Sequence, residues 1–162
     1  MWEYIDDAGS PYENDQGQVI SDPGHALEFV GLGSWFLREA NRLPLMIRAR
    51  VSGAESTLTR LREALPMLLQ ANFRNGFIGY GICKAFDLVA GRPTNTDMPW
   101  WSLPETMRAA TAVHFLAQPG AAGKEHRVCA DQVLSACHGA FSANFVRYDL
   151  PIGESPVSLA NR

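Results

Sequence analysis

The chain has 162 residues, 46% of them hydrophobic, which is enough for one compact domain with a core and short for two. Its net charge of −3 is small and its fourteen Lys and Arg are scattered, which argues against a nucleic-acid partner, since no basic run could neutralise a row of phosphates. No apolar stretch approaches the ~20 residues of a membrane span, and the opening MWEYIDDAGSPYEN is acidic where a secretory leader is basic and then apolar, so a cytoplasmic chain with no membrane partner is expected.

The first twenty residues mix Trp2, Tyr4 and Tyr12 with Gly9 and Pro11, which predicts an extended loop or irregular hairpin. A helix is expected from Asp22: its carboxylate can accept at the N-cap, and Pro23 pre-sets φ at the first helical position. The segment that follows, ALEFVGLGSWFLREANRL, is apolar on most sides and calls for cover on more than one face, so this helix should be central. A second helix is predicted after Ser52-Gly53-Ala54-Glu55, a capping-box pattern. There Leu58, Leu61, Leu65 and Leu68 recur at helical spacing, and Pro66 should kink or restart it.

From Asn75 to Pro93 the Gly-rich run predicts a long loop or a small β-hairpin. Ser102-Leu103-Pro104-Glu105 again reads as a capping box, opening a third helix whose apolar face carries Met107, Ala110, Val113, His114 and Ala117. A fourth is expected from Lys124 to Val146, with Cys129, Val133, Ala136, Ala140 and Phe141 as its stripe. Residues 148–162 carry two prolines and no period, which predicts an irregular tail. Together these elements predict a single all-α domain over residues 1–162, built of antiparallel helical hairpins with long loops or a small β-hairpin.

Three cysteines, Cys83, Cys129 and Cys137, lack framework spacing and are expected as reduced thiols. His126, Cys129 and Cys137 lack the spacing of a metal site, so no metal is expected. Two segments instead place polar residues where a plain helix start does not need them. In Ser21-Asp-Pro-Gly-His25-Ala-Leu-Glu28, the His25 and Glu28 side chains project from one helix face and can address one ligand together. In Met98-Pro-Trp-Trp-Ser-Leu-Pro-Glu105, Trp100 and Trp101 precede a carboxylate. Indole faces carry the C–H faces of a pyranose, and carboxylates accept from its hydroxyls. Taken residue by residue, each also has a plainer reading: a capping or core histidine, core indoles, and Glu105 completing its capping box.

The stretch DPGHALEFVGL, Asp22 to Leu32, resembles the Pro-Gly-His-x-x-Glu signature of the N-acylglucosamine 2-epimerase family. PWWSLPETMRAA, Pro99 to Ala110, resembles that family's later Trp-Trp-x-x-x-Glu segment. The resemblance runs from Trp2 to about Val146 and implies part of an (α/α)6 barrel, the first half of which this chain lacks. It implies His25 as acid/base, Glu28 as its partner, Glu105 as a further active-site carboxylate, and Trp100 and Trp101 as the sugar-binding wall. The implied activity is sugar 2-epimerisation or aldose–ketose isomerisation through an enediol or enediolate, with no metal or organic cofactor. An imidazole ordinarily titrates near neutral pH and can both take and return the proton.

The family's second catalytic histidine has no matching segment here, His138 being nearest by order, ahead of His114 and His126. The alternative expectation is therefore a non-catalytic helical fragment that binds sugar or assembles with a partner. Glycoside hydrolysis by Glu28 and Glu105 ranks below both, since it leaves His25 without a role. Part of a barrel would also expose the flank that meets the missing helices, so self-association or a covering partner chain is expected.

Overall fold

A computed structural model of the chain describes residues 2–48 and 53–145. Ser52, Val146 and the predicted tail 148–162 lie outside the described residues. The order of elements is β1 (Ile20–Ser21), α1 (Pro23–Arg42), α2 (Leu45–Arg48), α3 (Ala54–Gly76), β2 (Ala85–Asp87), β3 (Arg92–Asn95), α4 (Ser102–Leu116) and α5 (Ala121–Phe145). The fold is mainly helical with a small three-stranded sheet. Among the described residues no helix is long and apolar enough to cross a membrane.

α1 begins where its local chemistry predicts. Asp22 is extended (φ −98°, ψ 102°), its Oδ1 accepts from the His25 amide at 3.2 Å, and Pro23 occupies the first turn. It stops at Leu43, which is extended at φ −71°, ψ 138°, as a residue before proline prefers. The helix is central: α3 packs on one face and α4 on another, while α5 packs on α4 and, more lightly, on α3. Leu27, Val30 and Leu37 of α1 meet Leu65 and Leu69 of α3 and Ala109, Ala110 and Val113 of α4 in one core, which Val133 and Cys137 of α5 complete. Among the described residues a third face of α1 is left open, and on it Phe29, Leu32, Trp35 and Phe36 are all exposed.

Three local expectations need correcting. α3 runs through Pro66 as one helix, so of the expected kink or restart the restart does not occur, and its N-cap is Gly53 (φ 75°), which makes no side-chain capping bond. Second, the capping box at Ser102 does not form, because the Ser102 hydroxyl donates to the Pro99 carbonyl at 2.6 Å and Glu105 turns to Arg108. In α5 the buried stripe is Ala130, Val133, Cys137, Ala140 and Asn144, while Cys129, Ala136 and Phe141 are half-buried. Alternating steps of three and four keep this stripe on one face, and of the expected stripe Val133 and Ala140 lie on it while Cys129, Ala136 and Phe141 flank it.

The Gly-rich run forms the β2–β3 hairpin, whose turn is held by Asp87: its carboxylate accepts from Val89 N at 2.9 Å and Ala90 N at 3.2 Å, and Gly91 takes φ 66°. β1, the two residues before the α1 cap, adds to this hairpin antiparallel, with Ser21 opposite Phe86 and Ile20 opposite Asp87. The leading segment is an irregular hairpin, with a bridge between Ile5 and Pro11 and the Glu3 amide on the Ile20 carbonyl at 2.8 Å. Both short pairings converge on the start of α1.

Candidate functional site at the start of α1

The site is built outward from Asp22, buried at 6% exposure. One carboxylate oxygen caps α1. The other, Oδ2, receives the Lys84 ammonium at 2.5 Å and lies 3.3 Å from His25 Nδ1. Lys84 immediately precedes β2, so the β1–β2 pairing carries its ammonium to the N-cap. Its pKa is raised, first by the hydrogen bond to Asp22, with burial opposing, so Lys84 is a cation throughout the working range.

His25 Nδ1 is also 3.0 Å from Glu3 Oε1, which the N-terminal hairpin delivers. An ionised carboxylate can only accept, so Nδ1 carries the proton in this pair. In the neutral ring, Nε2 then presents its lone pair, and it makes no hydrogen bond to the described residues. The Trp101 indole stacks on the imidazole with centroids 5.6 Å apart and planes 18° apart. Close approach depends on Gly24, because a Cβ there would stand 3.2 Å from Trp101 Cη2 and 3.1 Å from Asp22 Oδ1. Below, Pro23 rests on Gly76 at the end of α3, where a Cβ would meet Pro23 Cβ at 2.4 Å.

The two segments singled out in the sequence therefore meet at His25 and Trp101. Glu28 stands one turn further along α1, half-buried, and the carboxylates on the His25 ring are those of Glu3 and Asp22. Glu105 is ion-paired to Arg108, whose Nε donates to Oε2 at 2.8 Å and whose guanidinium covers Gly31 of α1, so its charge is compensated. Trp100 is exposed beside Trp101. Among the other histidines, His114 Nδ1 is 2.7 Å from Asp131 Oδ1, His126 is half-buried, and His138 is exposed on α5.

Sequence reasoning missed Glu3 and Lys84. Nothing local marks Glu3; Lys84 is an isolated cation in the apolar run GYGICKAFDL, which calls for a buried counter-charge.

Glu3, Asp22 and His25 offer three ligand atoms within 4.8 Å of one another. The Lys84 ammonium already sits on the buried Asp22 oxygen and supplies the positive charge a bound cation would bring. His126, Cys129 and Cys137 form no such cluster among the described residues. Burial raises the Cys83 thiol to about 11, with the Asp22 charge adding to it, and raises Cys137 to about 12, so neither is an activated nucleophile. No protein-family model, curated protein or solved structure matches the chain.

Proposed function

We propose that His25 is the acid/base of a sugar 2-epimerase or aldose–ketose isomerase, and that the chain forms part of an (α/α)6 barrel. The observation that carries this reading is the His25 ring itself. One nitrogen is committed to the Glu3 carboxylate, one face is covered by Trp101, and the other nitrogen is left for a substrate. In this mechanism Nε2 removes the proton from C2 of an open-chain aldose. The C–H electron pair moves into the C1–C2 bond and the carbonyl pair onto O1, giving an enediolate. The resulting imidazolium is stabilised by Glu3 and Asp22, and the Lys84 ammonium offsets their excess negative charge.

Return of the proton from the same face to C1, with the O2 hydroxyl proton passing to the O1 oxyanion so that C2 becomes the carbonyl, gives the ketose and needs one histidine at carbon. Return to C2 on the opposite face gives the epimer and needs a second acid, which the missing part of the barrel would supply. Trp100, exposed next to the site, offers a free indole face to a pyranose.

The test is deuterium exchange. In D2O the chain should place deuterium at C2 of mannose, N-acetylmannosamine or cellobiose, and His25→Ala should abolish the uptake. Glu3→Gln, which keeps the hydrogen bond and loses the charge, should slow it by about 10- to 100-fold. Wild-type chain that exchanges none of the three sugars refutes the catalytic reading. Sugar binding that is lost in Trp100→Ala and proceeds without exchange would favour a binding role instead, for which the exposure of Trp100 is the supporting observation.

A further inference from the structure

The uncovered face of α1 has an internal symmetry. Glu28, Trp35 and Arg42 fall seven residues apart on one flank, with opposite charges equidistant from the indole. Phe29, Leu32 and Phe36 run beside them at steps of three and four, all exposed, which is the spacing of a seam that packs against another helix. Beside Trp35, between α1 and α4, lies an open groove of about 750 Å³ lined by Trp35, Arg38, Arg108 and Phe115.

We infer that this face binds a second copy of the same chain, with the two α1 helices antiparallel about a two-fold axis at Trp35. A two-fold contact brings a surface against itself, so it requires self-complementarity, and this surface has it. Rotation about Trp35 places Glu28 opposite the partner's Arg42 and Arg42 opposite the partner's Glu28. It sets Phe36 beside the partner's Leu32 and brings the two Trp35 indoles together at the axis. A parallel pair would oppose Glu28 to Glu28 and Arg42 to Arg42. Charge therefore selects the antiparallel arrangement. Glu39, the one acid inside the seam, is already held by Arg42 at 3.0 Å and Arg38 at 3.1 Å and enters the interface compensated.

Sedimentation equilibrium of the full chain tests this. The wild type should be a dimer at about 100 μM, and Trp35→Ala should raise the dissociation constant by at least about tenfold. Glu28→Arg and Arg42→Glu, each creating two like-charge contacts, should each weaken association by about 3- to 30-fold. The double variant Glu28→Arg/Arg42→Glu should recover it in part, because both cross pairs are restored in reverse while Glu39 loses Arg42. Trp35 and Arg42 are exposed and Glu28 is half-buried, and circular dichroism of each variant checks that it folds. A monomeric wild type, an open-ended polymer, an unaffected Trp35→Ala dimer, or a double variant no better than the singles would each overturn the proposal.

Discussion

His25 is defined by what holds its ring. Glu3, Asp22 and Lys84 alternate in charge around it, and the Lys84–Asp22 contact keeps a buried carboxylate from standing alone. Two buried thiols, Cys83 beside this corner and Cys137 in the core at α5, give the fold a pH dependence with a definite sign. The Cys83 and Cys137 thiols titrate at about 11 and about 12 in the fold, above the value of a free thiol. Their raised values mean that the unfolded chain loses these protons first. Stability is fully present below the unfolded thiol pKa and is lost as pH rises through the folded values. Lys84, raised as well, contributes in the same direction at still more alkaline pH. Urea denaturation should therefore show about 1 kcal/mol less stability per buried thiol at pH 10 than at pH 7. Native-state thiol titration should find Cys129, half-buried, reacting before the other two.

At the level of elements, what was legible was local. The Asp22-Pro23 start of α1 involves four consecutive residues and formed as expected. The box at Ser102 failed because the Pro99 carbonyl and the Arg108 guanidinium competed successfully for its two side chains. The phase of α5 was only partly right because small residues such as Ala130, which is buried, and Ala136, which is half-buried, carry little periodic contrast. β1 has only two residues, and its pairing with β2 lies beyond any window of sequence periodicity, so Glu3 and Lys84 could not be placed beside His25.

Two glycines separate tight packing from tolerance. Gly76→Ala would drive a Cβ to 2.4 Å from Pro23 Cβ, where both atoms are tied to helix ends, and should cost about 1–3 kcal/mol by urea denaturation. Gly31→Ala meets only the Arg108 guanidinium at 2.9 Å, the far end of a flexible side chain. It should be nearly neutral, helped by about 1 kcal/mol of helix propensity.

For the whole molecule, α1 is at once the centre of the core and the carrier of its most apolar open surface. Two of its faces are closed by α3 and α4, and the third shows Phe29, Leu32 and Phe36 to solvent. A face of that character is where cover is expected, and the second copy of the inferred dimer supplies it.

The junction of β1, β2 and the N-terminal hairpin at the start of α1 also sets an order of events in time. Neighbouring helices such as α4 and α5 can dock after closing short loops, but the imidazole acquires its surroundings only when Glu3, Lys84 and Trp101, spread over nearly two-thirds of the chain, have all come home. In stopped-flow refolding the fluorescence amplitude that Trp101→Phe removes should lag behind the far-ultraviolet helix signal. Coincident traces would mean that the molecule and its histidine corner assemble in one step.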